Sequence, residues 1–313
     1  MKAVVVDHDA PERLVIKEIE DPIQKSDDLL VRVEAFSLNG GETRFAMGNA
    51  ENGFRPGWDL VGIVEKSAPD GSGPRVGERV NGIRHNETWA EKVIVSVGAS
   101  AVVPAGVPIS VAASIPMGGL TAYHVLKRGG LLLGKKVLVT GATGVVGDFL
   151  LRLAKLSGAI TTAYIRDVKN ESLVREAGAD QVAIGTDLYE AAKAFGPFDL
   201  IAESVGGPTM KGALRMLNWD GQVIMFGLTS SEPLEFAGGD RFLGAGTLAG
   251  LSIYHELANR ESAEKGLHRL NALAAEGKLQ PQIGLESSWK EIATVATSYL
   301  ARKYPGKVVL YVE

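Results

Sequence analysis

The sequence predicts an α/β chain in two parts: a β-rich stretch followed by a doubly wound parallel sheet. Three observations predict it. The first hundred or so residues hold short apolar segments, several alternating, separated by turn residues. From about residue 110 helix-like and strand-like segments alternate, the rhythm of strand–crossover–strand units. Residues 136–158, KVLVTGATGVVGDFLLRLAKLSG, then join an apolar run, a glycine-rich turn and an amphipathic segment.

Taken in order, strands are predicted at Ala3–Asp7, Leu14–Ile19, Leu29–Ala35, Leu60–Glu65, Arg79–Gly82 and Trp89–Val97. Asp70 to Pro74 and Pro104 to Pro108 are loops by their Gly, Pro and Ser content. A helix is predicted over Val111–Arg128. The parallel strands are then Lys136–Thr140, Ala159–Ile165, Gln181–Ile184, Asp199–Ser204, Gln222–Phe226 and Gly246–Ile253. A helix follows at about Glu261–Glu276. With six parallel strands complete, the last predicted strand, Lys307–Glu313, is expected to return to the N-terminal β part.

Residues 141–147 carry the chemistry of the second part. Gly141, Gly144 and Gly147 recur every three residues, with Ala142, Thr143, Val145 and Val146 between them. Small residues here allow a tight turn, close approach of a pyrophosphate, and packing of the next helix on the strand. That helix aims its free N–H groups and positive dipole end at the phosphates. Phe149, Leu150, Leu153, Ala154 and Leu156 form its buried side, and Gly158 stops it. The strict fingerprint asks for glycine where Ala142 stands; the strand–turn–helix–strand context restores the signal.

The end of the second strand selects the coenzyme. A carboxylate there, roughly 20 residues past the turn, marks NAD sites by bonding the ribose hydroxyls. The chain reads Tyr164, Ile165, Arg166, Asp167, Val168, Lys169. With Ile165 at the acidic position, Arg166 and Lys169 can pair with a 2′-phosphate, which favours NADPH. A register shifted by two would instead make Asp167 the ribose acceptor; Asp167 could also simply cap the next helix. Farther on, Val205-Gly206 and Phe226-Gly227-Leu228 follow the fourth and fifth strands, where ligands of such sheets bind.

Composition narrows the functions. The 313 residues are 45% hydrophobic and 22% charged, with a net charge of −4. No stretch approaches 18 uncharged apolar residues, and no basic stripe is visible, so neither a membrane nor nucleic acid is an expected partner. The chain starts in a strand without a leader, which makes the cytoplasm the expected location. There is no cysteine, hence no disulfide, thiolate nucleophile or cysteine zinc site. The five histidines are scattered without an HxxxH pair, and no G-x-S-x-G elbow occurs. No metal site is expected.

Several motifs in order resemble the medium-chain dehydrogenase/reductase superfamily, in its zinc-free, quinone-oxidoreductase-like branch. They are Gly57-Trp58-Asp59-Leu60-Val61-Gly62, Gly77 to Gly82, Trp89-Ala90-Glu91, Ala112 to Pro116 with Gly119-Leu120-Thr121-Ala122, the 141–147 turn, Gly178-Ala179-Asp180 and Gly306 to Leu310. The resemblance implies a GroES-like β-barrel domain (1–112 and 256–313), a Rossmann domain (113–255) and an active-site cleft between them. It also implies a homodimer through the edge strand, which Leu243, Leu248, Leu251 and Ile253 would suit. In the zinc-dependent branch a Cys and a His hold the metal; here Ser37 or Asn39 and Trp58 stand at those places.

The stretch Ser37 to Arg44 resembles the family motif beginning Asn-x-x-Asp, and Asn39 matches its asparagine, which lines the nicotinamide pocket in relatives. Many relatives carry a tyrosine just after it as a proton donor. Here Gly40 follows, opening space for a bulkier acceptor, with Arg44 nearby. His85 lies in a loop that borders the substrate cleft in relatives and could donate a proton near neutral pH. Thr121 matches a threonine beside the nicotinamide. Asp59 is expected to order the β domain and Trp58 to form a wall. The functional expectation is an NADPH-dependent, metal-free reductase of a quinone or α,β-unsaturated carbonyl. The alternatives are a 2-enoyl thioester reductase and a non-catalytic NADPH-binding sensor or structural protein.

Overall fold

The fold follows from two kinds of strand in a computed structural model of the chain, which describes residues 1–230, 232–235 and 245–313. It divides into two compact units, residues 1–120 with 260–313, and residues 121–259.

In the first unit, β1 (Lys2–Val6) and β2 (Leu14–Glu18) form an antiparallel pair. The long β3 (Asp28–Leu38) is followed by α1 (Gly40–Gly48), β4 (Asp59–Lys66), β5 (Arg79–Ile83), β6 (Lys92–Ser96) and β7 (Ser100–Val102). β3 carries β4 along one edge and β6 along part of the other, Asp28 to Arg32. Its eleven residues alternate poorly because nearly all of them are buried, with only Arg32 exposed. The core gathers Leu29, Val31, Phe36, Leu60, Val80 and Trp89, with the Phe36 and Trp89 rings stacked 5.6 Å apart.

The boundary between the units falls inside α2 (Ile109–Arg128), which contains Pro116. Proline has no N–H for the carbonyl four residues back. That carbonyl, of Ala112, instead accepts the Asn81 side-chain amide at 3.0 Å. Ile109 to Leu126 is 18 residues without a charged side chain, contrary to the sequence expectation. This helix is long and apolar enough to cross a membrane, yet 83% of that window is buried within the protein, as in a core helix.

The second unit alternates β8 (Lys136–Val139), α3 (Val145–Leu156), β9 (Ile160–Ile165), α4 (Glu171–Glu176), β10 (Gln181–Ile184), α5 (Leu188–Ala192), β11 (Phe198–Glu203), α6 (Gly207–Arg215), β12 (Leu217–Met225), β13 (Thr247–Gly250) and α7 (Ile253–Asn259). All six strands are parallel in the order β10-β9-β8-β11-β12-β13. The order reverses between β8 and β11, which makes the carboxyl ends of those two strands the topological switch point. The sixth strand stops at Gly250, short of the predicted Ile253, which instead opens α7.

The chain then returns to the first unit with α8 (Ala263–Ala275), β14 (Ile283–Ser288), α9 (Ile292–Leu300) and β15 (Lys307–Tyr311). β15 lies antiparallel on β3, from Ala35 to Leu38, on the edge that β6 uses lower down. The sequence reading missed α1, β7, α7, β14 and α9. α1 starts with two glycines, a poor helix signature, and is held by the cluster described below.

Candidate active site

In the second unit the turn after β8 is built by close backbone approach. Gly141 is left-handed (φ +57°), and a Cβ there would lie 2.4 Å from Ser204 Oγ. A Cβ on Gly147 would lie 2.5 Å from the Gly141 carbonyl oxygen and 2.7 Å from Ala142 Cα, so only glycine lets α3 start this near the strand. Gly144 is less constrained, its nearest neighbour being 3.2 Å away. As N-cap of α3 it offers no side-chain bond to the first amides, those of Val145, Val146 and Gly147. Ala142 is buried, Thr143 half-buried, and Gly141 and Gly144 are exposed. A close-packed turn opening onto uncapped helix amides fits a dinucleotide pyrophosphate.

The structure brings three of the predicted segments together at the carboxyl ends of β8, β11 and β12. Ser204 N donates to Thr140 Oγ1 at 3.0 Å across the switch point. A Cβ on Gly206, itself left-handed (φ +85°), would lie 2.4 Å from Leu228 Cδ1. The Val205 carbonyl accepts Thr229 N at 3.1 Å and Ser230 N at 2.7 Å, and Phe226 N donates to the Glu203 carbonyl at 2.9 Å. Phe226 and Gly227 are half-buried and Leu228 is exposed.

At the end of β9, Arg166, Asp167 and Lys169 are all exposed. Asp167 caps the short turn that follows, its Oδ1 accepting Lys169 N at 3.0 Å, and its Oδ2 pairs with Lys169 Nζ at 2.9 Å. Lys169 is therefore engaged with Asp167, while Arg166 has no ion pair among the described residues. Thr121 is a buried residue of α2.

The sequence reading missed the group that organises this end of the sheet. Glu203, the last residue of β11, is fully buried. Its Oε1 accepts Val205 N at 2.8 Å and Thr140 Oγ1 at 3.2 Å, and its Oε2 accepts Gly206 N at 3.0 Å. Burial pushes its carboxyl up, and these donors work against that shift. An acidic residue ending an apolar strand, just before Ser-Val-Gly-Gly, was the available signal.

In the first unit the carboxyl end of β3 meets the starts of β4 and β15, and three strand ends bring polar groups into one buried cluster. Asp59 Oδ2 accepts Ser37 Oγ at 2.5 Å, Asn39 Nδ2 at 2.9 Å and Lys307 Nζ at 2.9 Å; its Oδ1 accepts Met117 N at 2.8 Å. Lys307 Nζ also donates to Asn39 Oδ1 at 2.6 Å. Glu42 Oε1 accepts the backbone N of Asn39 at 2.8 Å and its Nδ2 at 2.9 Å, which holds the first turn of α1. Glu42 Oε2 is buried and has no hydrogen-bond partner among the described residues. Burial, reinforced by the Asp59 charge, pushes the Glu42 acid well above the ordinary carboxylate range. The direction of that shift favours the protonated form of Glu42, which sits beside the buried Asp59–Lys307 ion pair.

Asn39 is buried, with its side-chain amide and carbonyl both engaged in this cluster. Arg44 is exposed on α1. Its guanidinium fills the space that Gly40 was expected to open: a Cβ on Gly40 would lie 3.1 Å from Arg44 Nη1. Gly41 leaves room for Trp58 in the same way, with the indole Cη2 2.7 Å from where a Cβ would stand. His85 is exposed in the loop after β5, outside the Asp59 cluster; the loop is tied to Trp58, whose carbonyl accepts Arg84 N at 2.8 Å.

Residues 25–133 match the family described as the alcohol dehydrogenase GroES-like domain, and residues 145–271 the family described as zinc-binding dehydrogenase. The chain belongs to the medium-chain dehydrogenase/reductase superfamily. It falls in the zinc-free branch of that superfamily and is an oxidoreductase. It is 27% identical to an acryloyl-coenzyme A reductase of Sulfurisphaera tokodaii, over 99% of both proteins. The solved structure of a mycobacterial quinone oxidoreductase matches it with a TM-score of 0.88 at 25% identity, covering 99% of each chain. A mycobacterial protein solved in complex with NADPH matches with a TM-score of 0.85 at 25% identity, covering 99% of this chain and 100% of the other.

The residues that the family resemblance sets at the zinc-ligand positions do not suit zinc. Ser37 is committed to Asp59, Asn39 to Lys307, and Trp58 carries no metal-binding atom. Among the described residues no three His, Asp or Glu side chains are grouped to hold a metal ion.

Proposed function

We propose that the protein is an NADPH-dependent, metal-independent reductase of quinones or α,β-unsaturated carbonyl compounds. One observation carries the reading: the Gly141–Gly147 turn opens onto uncapped amides of α3, and at the end of the adjacent strand stands Arg166, which has no ion pair among the described residues. The turn takes the pyrophosphate through backbone N–H groups, and Arg166 offers a planar guanidinium to the 2′-phosphate. Asp167 caps the turn after β9 and pairs with Lys169, which supports the capping reading of this residue over the ribose-acceptor reading. The similarity to a mycobacterial protein solved with NADPH supports the same coenzyme. NADPH, when bound, supplies a hydride to an electron-poor acceptor.

On the acceptor side, Asn39 and Glu42 position α1, and α1 in turn presents Arg44. A quinone needs positioning rather than an acid from the protein, since it can draw its protons from water. The similarity to an acryloyl-coenzyme A reductase favours 2-enoyl thioesters as a second acceptor class. We also propose a homodimer through the outer edge of β13; of the four residues expected there, Leu248 is half-buried, Leu251 and Ile253 are buried within the chain itself, and Leu243 lies outside the described residues.

The test is consumption of NADPH and NADH against 1,4-benzoquinone, methyl vinyl ketone, acryloyl-coenzyme A and simple aldehydes. Turnover of a quinone or enone with NADPH is expected, with aldehydes inert. Turnover confined to acryloyl-coenzyme A would select the second reading. Saturable NADPH binding with no turnover of any acceptor would sink both.

A further inference from the structure

We infer that Glu203 is a positioning residue for the coenzyme, a single buried carboxylate that sets both turns of the switch point; this rests on the coenzyme reading above. Three features converge on it. Its two oxygens draw in the N–H groups of Val205 and Gly206, at 2.8 and 3.0 Å, so the turn after β11 has neither amide left for a phosphate. The same Oε1 accepts the Thr140 hydroxyl at 3.2 Å, and Thr140 immediately precedes the pyrophosphate turn. Thr140 Oγ1 accepts Ser204 N at 3.0 Å, while Thr140 N donates to the Ala202 carbonyl at 3.0 Å.

The consequence is geometric. Gly206 and Gly207 both have positive φ, at +85° and +48°, a run of backbone that glycine adopts without steric cost. Glu203 holds it from beneath. Ser204 is pinned against Gly141, whose missing Cβ would stand 2.4 Å from Ser204 Oγ, so a displaced 204–207 turn would press on the start of the pyrophosphate turn. Glu203 therefore fixes the spacing of the two turns without itself touching the coenzyme. It also divides their labour. The amides of α3 remain for the anionic part of the coenzyme, and the second turn, its amides spent, offers a surface suited to an uncharged ring.

The experiment measures NADPH affinity by nicotinamide fluorescence, with steady-state kinetics and thermal unfolding alongside, in the wild type, Glu203→Gln and Thr140→Val. In Glu203→Gln the amide nitrogen faces the Gly206 N–H, a donor against a donor, while the remaining oxygen keeps one acceptor. NADPH affinity is expected to fall about tenfold or more, with KM for NADPH rising in step and kcat changing much less. Thr140→Val, which removes only the link between the turns, is expected to weaken NADPH binding by several-fold and to test the inference should Glu203→Gln fail to fold. Wild-type binding retained in either folded variant, or a loss confined to kcat, overturns the inference while leaving the coenzyme reading intact. Absence of NADPH binding by the wild type overturns both.

Discussion

The turn after β8 and the cluster around Asp59 are opposite solutions to the problem of holding a site. The turn works with backbone and requires the absence of side chains: a single methyl on Gly147 would stand 2.5 Å from a carbonyl oxygen. The cluster works with side chains and requires their presence, since Lys307 and Asp59 are buried charges that neutralise each other. One region fails when atoms are added, the other when they are taken away. Substitutions that exploit this difference can break the account or sharpen it.

The largest effect is expected in the cluster. Lys307→Met leaves Asp59 buried without its counter-ion and should cost about 3–5 kcal/mol of unfolding free energy, measured by urea denaturation. Adding Asp59→Asn should recover part of that loss, because the uncompensated charge is then gone. A single-variant loss below about 1 kcal/mol would remove the ion pair from its central place in this unit.

In the turn, Gly147→Ala should weaken NADPH binding about 100-fold, equivalent to roughly 2.7 kcal/mol. Gly144→Ala, whose new Cβ meets its nearest atom only at 3.2 Å, should have a clearly smaller effect. Equal effects at the two glycines would mean that close backbone packing does not govern the site. Arg166→Asp should lower the preference for NADPH over NADH about tenfold or more, consistent with a lost charge-assisted bond. An unchanged preference would remove Arg166 from the 2′-phosphate.

The smallest effect concerns pH. The folded-state pKa of Glu42 is raised by burial and by Asp59, so the neutral acid is the form the fold favours. Its contribution to stability is complete below the unfolded value of about 4.3 and is lost as pH rises through the raised folded value. Glu203 acts in the same direction. Glu42→Gln should therefore lose stability less steeply than the wild type from about pH 5 upward. Parallel pH profiles would contradict a favoured protonated form of Glu42.

The same contrast explains what could be read from the sequence. The strands β8 to β11 and the helix α2 lie within two residues of their predicted bounds because apolar periodicity and glycine spacing are local signals, whereas β12 starts five residues before the predicted Gln222 and β13 stops three before the predicted Ile253. The 141–147 turn was legible for the same reason: its constraint is backbone packing among residues six apart. The cluster was not. Asp59 meets Lys307 across 248 positions, and nothing near either residue announces the other. Asn39 stood out through a family motif, yet that its amide and carbonyl are bound by Glu42, Asp59 and Lys307 depends on three strand ends meeting. Gly40 misled in a simple way. A missing side chain was read as open space, whereas Arg44, four residues on along α1, folds back to fill it.

The most direct test of the central claim is an equilibrium titration of the purified chain with NADPH and with NADH, followed by nicotinamide fluorescence. The account predicts saturable binding of one coenzyme per chain, tighter for NADPH. Binding of neither coenzyme, or tighter binding of NADH, would contradict it.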